Sequence, residues 1–268
     1  MKLIFEQKHK QTLWFQITIV LLPTISLLPA CSDVDPPIKA TPAKTMTVEV
    51  TPTSPVEIQK DPTAAAEVSV NYSFPDKIEP EERYLLYLHG KIIENEGIGA
   101  NSPEYGPYEF EEILKYFAQA GFNVIGEVRS PNTDIDEYTD KVTSQINTLL
   151  EQGVPSESIT VVGFSKGGAI AIFTSSKLGN PRVNFVLLAI CGDEINEVSE
   201  VSLAGRILSL YEESDELGST CKPLVDRSPD VSGFDEIELS TGLRHGAFYS
   251  ADSTWLEPLI SWIFEGGA

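Results

Sequence analysis

Gly163-Phe164-Ser165-Lys166-Gly167 fits G-x-S-x-G, a spacing that allows a serine to serve as a nucleophile. Its context carries the signal. Ser158-Ile-Thr-Val-Val162 before it reads as a strand, and Gly167 to Leu178 after it as a helix rich in small residues. A sharp strand-to-helix turn requires small residues around the serine, because larger side chains collide with neighbouring backbone. Such a turn raises Ser165 Oγ above the sheet and aims a helix N-terminus at developing negative charge. A glycine-rich βα turn with an incidental serine is the competing reading. A phosphate-binding loop is excluded, since Lys166 lacks both the spacing and the following Ser or Thr.

The elements that position this turn repeat along the chain from about Glu67. Tyr84-Leu-Leu-Tyr-Leu88 is a buried-strand run ending at His89-Gly90. Tyr108 to Ala120 places Phe110, Ile113, Leu114 and Phe117 on one helical stripe closed by Gly121. Phe122 to Val128 is the next expected strand. Asp134 to Gln152 is an amphipathic helix with Val142, Ile146 and Leu149 on its apolar side. Val183 to Ile190, Arg206 to Tyr211 and Asp235 to Ser240 read as further strands, and Trp255 to Phe264 as a terminal helix. Strands separated by helices imply right-handed crossovers and a mostly parallel, doubly wound α/β sheet. In such sheets the site lies beyond the carboxyl ends of the strands.

From these residues the chain resembles the α/β-hydrolase superfamily over residues 67–268. That resemblance implies the order nucleophile, acid, histidine. Ser165 is the nucleophile. Asp215, in the turn after the strand ending at Tyr211, matches the family acid, although Glu212 stands where Gly is frequent. Asp193, just after the preceding strand, is the alternative acid, and a solvated acidic loop is the plainer reading of both. His245, between the last strand and the terminal helix, matches the family histidine. It would accept the Ser165 proton while the acid holds its tautomer. His89-Gly90 looks like the family's oxyanion loop, so the backbone N–H groups of Lys91 and Lys166 are the implied oxyanion donors. His89 itself reads as a loop-ordering hydrogen-bonder. The side chains of the two lysines either attract anionic substrates or are solvated or paired with Glu94 and Glu96. Residues 94–107, rich in Gly, Pro and Asn, read as a rim loop. The short stretch between Ile190 and Arg206 implies no large lid. In the resembled fold the strands before Cys191 and Cys221 are neighbours. These cysteines are therefore candidates for a disulfide, or else two small buried hydrophobes.

The remaining sequence bounds where and on what the chain acts. Asp and Glu number 40 against 19 Lys and Arg, a net charge of −21 that disfavours nucleic acid and docking on anionic lipid by charge alone. Three Cys and three His form no cluster with metal-ligand spacing, so neither metal nor organic cofactor is expected. Residues 1–30 follow the basic-then-apolar plan of an export signal. Leu28-Pro29-Ala30-Cys31 resembles the lipobox of bacterial lipoproteins, with Cys31 as the acylated residue and Pro29 departing from the usual small residue. An uncleaved anchor and plain secretion are the alternatives. Ser32 favours the outer membrane, so the periplasmic face of that membrane or the cell surface is expected. Residues 31–66, rich in Pro and Thr, read as a semi-extended linker. The expected activity is a serine hydrolase cleaving an ester, thioester or amide of a small-molecule or acylated substrate. Binding of a ligand or partner without turnover is the alternative, although no protein partner is evident from the sequence.

Overall fold

All five residues of Tyr84–Leu88 are buried, which an isolated amphipathic strand cannot achieve. Both sheet faces must therefore be covered. A computed structural model describes residues 70–266. In chain order the elements are β1 (Val70–Asn71), β2 (Tyr84–Leu88), α1 (Lys91–Glu96), β3 (Asn101–Ser102), β4 (Gly106–Pro107), α2 (Phe110–Gln119), β5 (Asn123–Ile125) and α3 (Ile135–Glu151). They continue with β6 (Ile159–Phe164), α4 (Lys166–Leu178), β7 (Asn184–Leu188), α5 (Asp193–Asn196), β8 (Ala204–Glu212), α6 (Lys222–Asp226), β9 (Asp230–Leu239) and α7 (Ser253–Glu265).

Among the described residues seven strands pair in the order β1-β5-β2-β6-β7-β8-β9, every pair parallel. After β2 the chain first builds outward through β5. It then returns to the other side of β2 with β6 and continues through β9. That reversal makes β2 and β6 the topological switch point, where α/β sheets open a crevice at the strands' carboxyl ends.

The side-chain period of two divides the core. Leu85 and Tyr87 point to the face covered by α2 and α7, with Phe110, Phe117, Trp255 and Leu259. Tyr84, Leu86 and Leu88 point to the opposite face, against Val142 and Ile146 of α3, Ile170 and Ile172 of α4 and Leu224 of α6. Asp134 starts α3 by accepting from the N–H groups of Asp136 and Glu137 at 2.9 and 3.2 Å.

Three expectations about elements change. The final strand begins at Asp230, five residues before the expected Asp235, because its first half is an outer strand with partly exposed residues rather than an apolar run. The strand expected over 122–128 shrinks to Asn123–Ile125; Gly126 N–H still donates to Asn71 O at 2.8 Å, and a Cβ there would meet Leu114 Cδ1 at 2.4 Å, so α2 packs directly on its backbone. Residues 94–107 are not simply loop: α1 extends to Glu96, and β3 and β4 form a short antiparallel ribbon. Between β7 and β8 the chain makes only the four-residue α5, so no large lid is present there.

Candidate active site

The turn between β6 and α4 is built by close approach. A Cβ on Gly167 would lie 1.8 Å from Leu88 O, and one on Gly163 would lie 2.4 Å from Gly167 O. Backbone therefore touches backbone where a side chain would otherwise intervene. Ser165 is held at φ 53°, ψ −120°, a conformation that non-glycine residues rarely adopt. Its N–H donates to Leu188 O at 3.0 Å, and its carbonyl accepts from Ala169 N at 3.0 Å. Ser165 is half-buried, and among the described residues its Oγ has no hydrogen-bond partner.

The end of β2 lies directly beside this turn. A Cβ on Gly90 would stand 3.8 Å from Ser165 Cβ and 3.0 Å from the Phe164 ring. Lys91 opens α1 and Lys166 opens α4, so both N–H groups belong to first turns without intrahelical acceptors. His89 is fully buried and accepts from Arg129 N–H through Nε2 at 2.9 Å. Its proton therefore sits on Nδ1, which donates to Gly90 O at 2.8 Å. Burial first, then the positive charge of Arg129, lowers its pKa from 6.5 to about 3, so the ring is neutral and structural.

His245 Nδ1–H donates to Asp215 Oδ2 at 2.8 Å, with side chains only 6% and 1% exposed. The imidazole packs on the Phe164 ring at 4.8 Å between centroids, next to Ser165, and faces Tyr105 of the β3–β4 ribbon at 6.1 Å. Asp215 Oδ1 also accepts from Leu217 N–H at 2.9 Å, which leaves the carboxylate oriented from both oxygens. Asp193, by contrast, is exposed at the start of α5. Of the two candidate acids, Asp215 is the one hydrogen-bonded to His245.

Glu212 is a residue whose importance the sequence hid. It is fully buried at the end of β8, where its appearance in place of a common Gly had marked only a departure from pattern. Oε2 accepts from Ser214 N–H at 2.8 Å and from Ser214 Oγ–H. Oε1 accepts from the N–H groups of Thr241 and Gly242, both at 2.8 Å. One carboxylate thus joins the Asp215 turn to the loop leading into His245. Burial alone would raise its pKa, but these hydrogen bonds outweigh burial and lower it from 4.5 to about 2. An acid immediately after a strand was the available signal; its partners Thr241 and Gly242, about thirty residues away, were not.

Cys191 and Cys221 form a disulfide with S–S 2.00 Å and Cα–Cα 5.0 Å. It ties the end of β7 to the segment following Asp215. The two lysine side chains separate. Lys166 Nζ lies 2.6 Å from the buried Glu94 carboxylate and 2.6 Å from Thr133 O, so it does not offer a free charge to anionic substrates. Lys91 is exposed. Arg129 pairs with the same Glu94 at 3.3 Å. Among the described residues no group of His, Cys, Asp and Glu could hold a metal ion, and no helix is long and apolar enough to cross a membrane. Cys31, the export signal over 1–30 and the linker over 31–66 lie outside the described residues.

The phospholipase/carboxylesterase family model matches residues 122–188, from β5 through β7. The match includes Ser165 but neither Asp215 nor His245. No curated protein matches the chain in sequence. Similar solved structures include Arabidopsis thaliana SOBER1, 16% identical with TM-score 0.43 over 70% of this chain and 100% of that one. Esterase PE8 is 12% identical with TM-score 0.48, covering 73% and 99% of the two chains. A thermostable esterase is 17% identical with TM-score 0.43, covering 72% and 57%. At such identities and scores these likenesses carry no inference about activity. The seven parallel strands, their helices on both faces and the β6–α4 turn make the fold α/β-hydrolase-like.

Proposed function

We propose that the protein is a serine hydrolase acting on an ester, thioester or amide through an acyl-enzyme. Ser165 Oγ attacks the carbonyl carbon as its proton passes to His245 Nε2, and the carbonyl electron pair moves onto oxygen. Asp215 keeps the His245 proton on Nδ1, leaving Nε2 as the base, and stabilises the imidazolium that forms. The N–H groups of Lys91 and Lys166 receive the oxyanion, a contribution typically of about 10²–10³ in rate per donor. Collapse of the tetrahedral intermediate breaks the bond to the leaving group, which takes the proton from His245. Water then repeats the sequence on the acyl-Ser165 and frees the acid. None of these steps calls on a metal or an organic cofactor.

The observation that carries this reading is the buried Asp215–His245 hydrogen bond, packed on Phe164 beside a serine held at positive φ. The family match over 122–188 adds support for hydrolysis through the segment that contains Ser165. Labelling of the full chain with a fluorophosphonate tests it. Wild type is expected to label and Ser165→Ala to remain unlabelled; equal labelling of the two leaves ligand or partner binding without turnover as the reading. A p-nitrophenyl ester series of increasing chain length then defines the acyl group. The same reading tethers the enzyme by acylated Cys31 to the periplasmic face of the outer membrane or the cell surface. Incorporation of a clickable fatty acid into wild type and not into Cys31→Ser is the expected result.

A further inference from the structure

A carboxylate with no exposed surface sits between the two segments that carry the proposed oxyanion amides. Glu94 belongs to α1, whose first residue is Lys91, and its side chain is fully buried. Its Oε1 accepts from Lys166 Nζ at 2.6 Å, and Lys166 opens α4 directly after Ser165. Its Oε2 accepts from Arg129 Nε at 3.3 Å. Arg129 is itself 3% exposed; Nη2 donates to His89 O, and its N–H donates to His89 Nε2. Lys166 Nζ also reaches Thr133 O, in the loop that follows Arg129. The end of β2, the start of α1, the loop after β5 and the start of α4 therefore meet on one carboxylate.

We propose that Glu94 is the positioning residue of the oxyanion hole, clasping the Lys166 side chain so that the backbone N–H groups of Lys91 and Lys166 hold a common target. The inference rests on the serine hydrolase reading above. Desolvating a carboxylate, an ammonium and a guanidinium together is costly, and ion pairs of this kind are weak evidence for stability in themselves. Packed apolar residues would fill the same volume without that penalty. What the charges provide is a fixed direction between two segments that already meet where Gly167 approaches Leu88 O. Their sum also matters: one anion against two cations, with His89 neutral, leaves a net positive charge beside the turn where the oxyanion develops. The cation after the nucleophile thus acts from behind the turn, through its own backbone, rather than by facing substrate.

The test compares a ground-state readout with a tetrahedral one in the full chain. Glu94→Gln keeps shape and one acceptor but removes the charge, Glu94→Ala removes both, and Lys166→Met removes the cation while keeping the backbone amide. Hydrolysis of a p-nitrophenyl ester and inhibition by phenylboronic acid, which forms a tetrahedral anionic adduct on the serine, are measured for each. Glu94→Ala is expected to lower kcat by about 10²-fold with KM within about threefold, and to weaken phenylboronic acid by a similar factor. Glu94→Gln and Lys166→Met should fall between it and wild type. Folded Glu94→Gln and Lys166→Met with kcat and boronate affinity both within about threefold of wild type overturn the clasp. So does a loss confined to thermal stability, or one carried by KM alone. If Glu94→Ala does not fold, the two milder variants decide. Failure of the parent reading looks different: wild type itself then shows neither fluorophosphonate labelling nor turnover.

Discussion

The two sides of Ser165 are secured by different physics. Beside the Lys91 and Lys166 amides, position depends on charges taken out of water: Glu94 between Lys166 and Arg129, with a neutral His89 wedged against the same arginine. Beside Asp215 and His245, a single carboxylate, Glu212, is satisfied by dipoles of two loops, and the Cys191–Cys221 bridge fastens the acid segment covalently. The first arrangement sets direction by ion pairs between helices α1 and α4. The second sets it by backbone N–H groups, whose direction is fixed wherever the loop itself is fixed. A buried anion can therefore organise a site with or without a cation, provided every lone pair finds a donor.

The largest expected effect separates Asp215 from Asp193. Asp215→Asn should lower kcat by about 10⁴-fold through loss of the His245 tautomer, whereas Asp193→Asn should leave kcat within about twofold. Equal losses in both would break the assignment of the acid. Next comes the covalent part of that side. Cys191→Ser with Cys221→Ser opens a link spanning 30 residues and should destabilise the domain by about 3–4 kcal/mol in a urea titration. A stability change under 1 kcal/mol would remove the bridge from the comparison. Glu212→Gln should cost about 1–3 kcal/mol, because one oxygen becomes a donor facing N–H groups, and kcat should fall more than KM rises.

Acidification sharpens the contrast. His89 has its pKa lowered from 6.5 to about 3, so below pH 6.5 the unfolded chain takes up a proton that the folded one refuses. Stability on that side is lost as the pH falls from 6.5 towards 3. Glu212, lowered from 4.5 to about 2, contributes stability that is complete above pH 4.5 and lost as the pH falls through 2. Thermal unfolding followed by circular dichroism should therefore show His89→Asn flattening the wild-type decline below pH 6.5. The deficit of Glu212→Gln should stay constant above pH 4.5 and close below it. The smallest effect concerns Lys91, whose proposed part is its backbone N–H: Lys91→Met should leave kcat and KM within about twofold.

Strands and helices with strong local patterns were legible from the chain. Tyr84–Leu88 stands where its apolar run ends, and α2 and α3 follow stripes of one residue every three or four. The turn around Ser165 was legible too, since close backbone approach needs glycine on both sides whatever else the fold does. The first half of β9 was not, because an outer strand with polar residues has no apolar signature. Nor was the ordered ribbon Asn101–Ser102 with Gly106–Pro107, which brings Tyr105 over His245 from a stretch whose composition reads as loop.

For the candidate site, the strand–turn–helix context pointed to Ser165, and the resemblance to α/β-hydrolases carried the order nucleophile, acid, histidine onto Asp215 or Asp193 and His245 and made Cys191 and Cys221 candidates for a bridge. Tertiary structure alone decided which acid meets the histidine and where each lysine side chain goes. It also turned Glu212 from an irregularity in a turn into the joint between two loops. The reason is the range of the interactions. Periodicity and turn chemistry act over a few residues, whereas a hydrogen bond between positions 30 apart, or an ion pair between positions 72 apart, exists only after the order of parallel strands has been chosen.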